Sequence, residues 1–189
     1  MRKKLLIALL AALSIIPLAG FGGRSLRGDP SQRVRYYGQF VPFGELLDKG
    51  VTLQCHDGAR DGTLTCYNTP EELAAATGLD LPGVDRTAVE RYRSAGAVIP
   101  MQATYYAVLY ERAGYAGSAC ALSQNMPDLR VVQFDNITSS IFIPSGAGSS
   151  MYYENISYGG PGWLFSASID DLNRAGCNDM ISSAQRLGY

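Results

Sequence analysis

The chain has 189 residues, 47% of them hydrophobic and 17% charged, with a formal net charge of −1. That length holds one ordinary domain with an extension, or two small ones, and the composition is globular rather than disordered. That near-neutral charge argues against a phosphate-neutralising surface and removes nucleic acid from the expected partners.

The chain begins with a targeting segment. Arg2, Lys3 and Lys4 give a positive start, Leu5 to Ile16 an apolar run of 12 residues, and Ala19, Gly20, Gly22 and Gly23 a small-residue exit. A membrane span needs about 20 apolar residues, so the expectation is a secretory signal over 1–22 that is removed on export, with an uncleaved anchor as the alternative. The remainder, 23–189, would be secreted and extracellular, with no membrane attachment after cleavage. Phe21 stands where a lipobox would carry Cys, which argues against a lipid anchor.

From Arg24 to Gln39 the sequence is basic and turn-rich, and is expected to be a linker or loosely held arm. Val51 to Thr65 is expected to form a hairpin, because two Asp-Gly turn signals separate short apolar stretches. Cys55 and Cys66 flank that hairpin. Four cysteines (Cys55, Cys66, Cys120, Cys177) suit an oxidising compartment and allow three pairings. The hairpin favours Cys55 with Cys66, which leaves Cys120 for Cys177; two free buried thiols are the alternative for that second pair. None of the spacings is that of a zinc or CxxC redox site. Thr69-Pro70-Glu71-Glu72 is a helix start with an N-cap, Pro at the first position and a capping-box Glu, and Gly78 can close it. A second short helix is expected over Thr87 to Ser94, ending at Gly96, after which Pro100 marks a boundary. Residues 23–103 thus form a linker and a small disulfide-hairpin and helical region to which no function is assigned.

Beyond Thr104 the chain repeats itself at an offset of 43. Tyr110-Glu111 aligns with Tyr153-Glu154, Tyr115 with Tyr158, Gly117 with Gly160, Asp128-Leu129 with Asp171-Leu172, Asp135-Asn136 with Asn178-Asp179, and Ser139-Ser140 with Ser182-Ser183. The matched residues are aromatics, glycines and short polar groups, unlike those of helical repeats. Between them lie runs of β propensity, "TYYAVLYE", "RVVQF" and "SSIFIP". Two such units of about four strands each predict two Greek keys packed as a sandwich.

Two motifs occur twice in the same order: "YERAGYAG" (110–117) with "YENISYGG" (153–160), and "DNITSS" (135–140) with "NDMISS" (178–183). On these residues the region 104–189 resembles a βγ-crystallin domain, whose keys carry Tyr-x-x-x-x-(Tyr or Phe)-x-Gly and a polar calcium hexad. The fold expected is therefore all-β, a two-Greek-key βγ-crystallin-type sandwich over 104–189. The glycines would take positive φ in folded hairpins, and each tyrosine pair would cover its turn with the hydroxyl left wet.

The resemblance implies two Ca2+ sites. Calcium wants six to eight oxygens at about 2.3–2.6 Å. The first hexad offers the side chains of Asp135 and Asn136, the carbonyl of Ile137 and the hydroxyl of Ser139. The second offers Asn178, Asp179, the Met180 carbonyl and Ser182. The resemblance further implies a hairpin carbonyl from the partner key, Glu154 beside the Asp135 hexad and Glu111 beside the Asn178 hexad. Residues 104–189 carry seven acidic residues against four arginines, which suits a cation. The bland alternative is that the hexads only form Asx and Ser turns.

Other features carry less. Asn136-Ile137-Thr138 and Asn155-Ile156-Ser157 are glycosylation sequons, Trp163 is expected in the core or at its edge, and Asp170-Asp171 in a solvated turn. No enzyme is expected, since the single histidine, His56, sits by Asp57 as a surface side chain with no nucleophile at recognisable spacing. The expected function is a secreted calcium-binding protein with a structural, stability or surface-binding role, its partner a cell-surface component. The alternative is a secreted metalloproteinase inhibitor or killer-toxin-like protein on the same fold, with a protease as partner and "IPSGAGSSM" (143–151) as the inhibitory loop.

Overall fold

A computed structural model of the protein describes residues 29–59, 61–96 and 103–188. The expected signal over 1–22, the first part of the expected arm, and Pro100 lie outside the described residues. From residue 29 the expected arm is instead folded. Strand β1 (Arg33–Tyr36) turns back through Tyr37 and Gly38 into β2 (Gln39–Pro42). Both turn residues have positive φ, 46° and 79°, the backbone that a two-residue hairpin turn requires. Helix α1 (Phe43–Asp48) follows, burying Phe43 and Leu46.

Strands β3 (Gln54–His56) and β4 (Thr65–Tyr67) form the expected hairpin, with Cys55 opposite Cys66 and a disulfide between them. Helix α2 (Pro70–Thr77) carries the full capping box between Thr69 and Glu72 and closes on Gly78 at φ 76°. Helix α3 (Arg86–Ser94) starts where Asp85 accepts a hydrogen bond from the Thr87 N–H. The described structure is therefore mixed, with three α-helices beside its strands, rather than all-β.

The repeat builds two Greek keys. The first has β5 (Ala107–Arg112), β6 (Ala116–Leu122) and β7 (Ser140–Phe142); the second has β8 (Ser150–Asn155), β9 (Gly159–Phe165) and β10 (Ser183–Arg186). The remaining strand of each key is reduced to one residue and is exchanged. Met126 of the first key pairs with Ala184 in β10, and Ile169 of the second pairs with Ile141 in β7. These two bridges obey the 43-residue offset. The "RVVQF" run is a 3-10 turn, Leu129–Val132, not a strand. Its β propensity loses to the Asp128 carboxylate, which accepts from the Arg130 N–H at 2.9 Å and starts the turn.

Three layers result. A seven-stranded sheet runs β2-β1-β4-β3-β6-β5-β7, and a three-stranded sheet runs β10-β8-β9. The core between them holds Leu109, Leu122, Leu129, Ile141, Tyr152, Leu172, Ile181 and Ala184. On the far side of the large sheet, α2 and α3 cover Val108, Tyr110, Ala119 and Ala121 with Leu73, Ala74, Ala75, Ala76 and Val89. The sheet is continuous across residue 104, because β3 pairs in parallel with β6. The central core likewise draws Val34, Phe43, Leu46 and Leu53 from the N-terminal region.

Cys120 and Cys177 are free thiols, both buried, so the expected second bridge is corrected to the alternative. Cys120 lies on β6 in register with Cys55, inside the core where a small apolar thiol packs well.

Candidate cation site

Each hexad is shaped by its backbone before any ligand is considered. The second residue of each, Asn136 and Asp179, sits at φ 53° and 54°. Asn and Asp tolerate this left-handed region better than other non-glycine residues. The two loops lean on each other: the Asn136 N–H donates to the Ile181 carbonyl at 2.9 Å, and the Asp179 N–H to the Thr138 carbonyl at 3.0 Å. The last serine of each hexad is structural. Ser140 Oγ accepts from the Tyr115 N–H at 3.0 Å and donates to the Arg112 carbonyl at 2.7 Å. Ser183 does the same with Tyr158 and Asn155, at 3.1 and 2.6 Å. The sixth position thus clamps the folded hairpin of its own key.

The hairpins themselves need their glycines. Gly117 and Gly160 have φ 80° and 73°, and a Cβ on Gly160 would lie 2.6 Å from Asn155 Nδ2. The tyrosine pairs sit on these turns, Tyr110 on Tyr115 and Tyr153 on Tyr158, each with ring centroids 5.7 Å apart. The hydroxyls differ. Tyr153 donates to Gln185 Oε1 at 3.4 Å, but the Tyr110 hydroxyl is buried without a partner, contrary to the wet hydroxyl expected. Burial raises its pKa.

The fifth-position serines reach across to the other hexad. Ser139 Oγ donates to Asp179 Oδ1 at 3.2 Å, and Ser182 Oγ donates to Asn136 Oδ1 at 3.4 Å. The second-position side chain of each hexad thus meets the fifth-position hydroxyl of the other hexad. Each hairpin is hydrogen-bonded to the fifth-position serine of its own key's hexad, whose hydroxyl faces the other hexad. Ser139 N–H bonds the Tyr110 carbonyl, placing Glu111 by the Ser139–Asp179 pair; Ser182 N–H bonds the Tyr153 carbonyl, placing Glu154 by the Ser182–Asn136 pair. The Glu111 carboxylate accepts from the Ser118 N–H within its own hairpin.

The first-position side chains brace their neighbours. Asn136 Nδ2 donates to Asp135 Oδ2 at 3.3 Å, and Asn178 Nδ2 donates to Asp179 Oδ2 at 2.9 Å. Asn178 Oδ1 is a buried oxygen with no hydrogen-bond partner. Among the described residues no three His, Cys, Asp or Glu side chains converge. What does converge is carboxylate, amide and hydroxyl oxygen, the donor chemistry of a hard cation such as calcium. The Ile137 and Met180 carbonyls stand at the third position of the same two loops.

Other expected sites move. His56 is fully buried rather than on the surface, its Nδ1 3.2 Å from the Tyr105 hydroxyl. Burial pushes its pKa down to about 4. Asp57 is buried too, accepting from the N–H groups of Ser123 and Gln124 at 2.6 and 3.4 Å. The proposed inhibitory loop is mostly packed down: Ile143, Ala147 and Ser150 are buried, and Ser145 and Gly146 form its exposed tip. Trp163 packs half-buried against the central core, as expected.

No family model matches the chain, and no curated protein matches it. Among solved structures, a βγ-crystallin from an archaeon is 24% identical, covering 44% of this chain and 99% of its own, with a TM-score of 0.39. A βγ-crystallin from Ciona intestinalis is 24% identical over 43% of this chain and 98% of its own, with a TM-score of 0.40. A βγ-crystallin domain from Clostridium beijerinckii is 21% identical over 42% of this chain and 94% of its own, with a TM-score of 0.38. Part of the chain is thus similar in structure to βγ-crystallin domains of archaeal, bacterial and Ciona origin.

Proposed function

We propose that this is a secreted protein whose two keys bind two calcium ions at their junction, and that the ions stabilise the fold in a structural or surface-binding role. The observation that carries this reading is the crossed pairing of Ser139 with Asp179 and Ser182 with Asn136. Each pair holds two oxygens from different keys within hydrogen-bonding distance, so an ion at either pair ties both keys together. One site would use Asp179, Ser139, and the carbonyls of Glu111 and Ile137. The other would use Asn136, Ser182, and the carbonyls of Glu154 and Met180, with Asp135 and Asn178 bracing the loops. A bound ion would supply charge neutralisation and cross-linking of loops. One ligand carboxylate, Asp179, in the first site and none in the second suggest modest affinity, micromolar to millimolar, suited to an extracellular setting.

Calcium titration of the full chain by calorimetry tests this, with thermal unfolding in calcium and in chelator beside it. At one hundred times the dissociation constant each site should add about 2.7 kcal/mol. Ser139→Ala and Ser182→Ala should each weaken one site. A wild type that takes up no calcium at millimolar concentration, with a Tm indifferent to chelator, would leave the hexads as turn-forming loops. Export is tested separately, by the N-terminal sequence of the secreted product, expected to begin just after residue 22.

A further inference from the structure

Three cysteines stand in one row. The strand order β4-β3-β6 puts Cys66, Cys55 and Cys120 in register on adjacent strands, and all three side chains belong to the central core. The next residue of β6, Ala121, belongs to the other layer. Cys55, in the middle, is bonded to Cys66, while Cys120 on its other side is a free thiol. Neighbouring strands lie about 4.8 Å apart, inside the Cα separation of about 4.4–6.8 Å that a disulfide spans. Cys120 and Cys55 are therefore placed to be bridged with no strand displaced. Cys66 is two strands from Cys120, roughly 9.6 Å, and is out of reach.

Thiol–disulfide exchange is an attack by a thiolate on one sulfur of the disulfide, with the other sulfur leaving. The attack runs along the S–S axis from the side opposite the leaving group. The strand register sets the disulfide on one side of Cys55 and the thiol on the other, the order of leaving sulfur, central sulfur and attacking thiol that the exchange requires. We propose that Cys120 is an internal exchange partner of the Cys55–Cys66 disulfide. The Cys120 thiolate forms a bond to Cys55 Sγ, the Cys55–Cys66 bond breaks, and its electron pair leaves on Cys66, which takes up the proton that Cys120 gave up. Two sulfurs are oxidised before the step and two after it, so no outside oxidant or reductant is needed.

The exchange changes what the bridge does. Between Cys55 and Cys66 it closes a hairpin inside the N-terminal region; between Cys55 and Cys120 it staples that region to the first key. Burial raises the Cys120 thiol well above its ordinary pKa, and the nearby Asp57 carboxylate adds to this. The step is therefore held off while the β3–β6 seam is closed and proceeds when the seam opens.

The test uses the full oxidised chain, moved from about pH 5 to about pH 9 in urea below the unfolding transition, then acid-quenched, thiol-blocked and mapped without reduction. A Cys55–Cys120 peptide should appear together with equimolar blocked Cys66, at a rate falling about tenfold per pH unit below pH 9. Cys120→Ser should abolish both products, and Cys177→Ser should leave both. Cys66→Ser, which leaves Cys55 and Cys120 as neighbouring thiols, should form that bridge with oxidised glutathione. A Cys66–Cys120 or Cys55–Cys177 bridge, or Cys55–Cys66 persisting alone throughout, would overturn the proposal; the wild-type map decides it even where Cys66→Ser misfolds.

Discussion

The two keys repeat each other in sequence and backbone, yet they stand in opposite environments. In the first key Val108, Tyr110, Ala119 and Ala121 are sealed beneath α2 and α3, each at most 3% exposed. The same positions of the second key, 43 residues on, are Met151, Tyr153, Gly162 and Leu164, with Leu164 59% exposed. The edges differ likewise. Strand β6 receives β3, while its counterpart β9 ends the small sheet. The N-terminal region is thus a cap that treats one key as core and leaves its twin as surface. Repeat symmetry sets the loops and the hexads, and the cap breaks it everywhere else.

The strongest way to break this comparison is to remove the cap. Expressed alone, residues 104–189 would expose the Val108 face and the β6 edge together. Re-exposing large buried side chains costs about 1.5–3 kcal/mol each, so the fragment should lose on the order of 5 kcal/mol. A small domain has about that much in total. Urea unfolding followed by circular dichroism compares fragment with full chain. Equal stability would mean that the two keys need no cap and that the division at residue 104 is a true domain boundary.

A second test uses the seam between β3 of the cap and β6 of the first key, which carries a titrating group and has no counterpart beside β9. His56 stands on β3 against Ala121, with Tyr105 and Tyr67 around its ring. Burial sets its folded pKa at about 4, against about 6.5 in the unfolded chain. The unfolded state therefore binds the proton first as pH falls, and stability drops between about pH 6.5 and 4, by about 3 kcal/mol. Asp57 works the other way at the acid end, since burial raises its folded pKa. Urea midpoints at several pH values should show this loss, and His56→Gln should flatten it. A flat wild-type profile would count against a sealed seam.

Legibility followed local chemistry. Helix α2 and its capping box could be read because Thr69, Pro70, Glu72 and Gly78 act within one turn of each other. The keys could be read because positive-φ glycines and αL Asn or Asp impose residue types on a fixed spacing. The helical cap's docking could not, since β3 meets β6 through backbone hydrogen bonds that leave no residue signature. One signal was available. The run from Tyr105 to Tyr110 is unbroken and apolar, as strands buried on both faces are, whereas Ser150 to Tyr153 alternates between buried and half-exposed positions. The crossed hexads were hidden for a related reason: the sequence shows which oxygens each loop offers, but which loop a serine faces is set by the packing of the two keys. Both halves of the cysteine reading turned on the same limit, because Cys55 and Cys66 are neighbours in a hairpin and Cys120 and Cys177 meet no local constraint.

The smallest effect gives the sharpest comparison, because it exchanges the same two residue types between equivalent positions. Ala121 in β6 and Leu164 in β9 correspond at the 43-residue offset and differ in exposure from 0% to 59%. Ala121→Leu would push three extra carbons into the layer where Ala74, Ala75 and Ala76 of α2 already pack. Overpacking of this kind costs about 1–3 kcal/mol. Leu164→Ala removes the same atoms from a solvent-facing strand and should change stability by less than about 0.5 kcal/mol. Thermal melts of the two variants should therefore differ clearly, although each merely writes one key's residue into the other. Equal costs would mean either that α2 yields to admit the leucine or that Leu164 is covered in solution, and in both cases the two faces would be more alike than their packing implies.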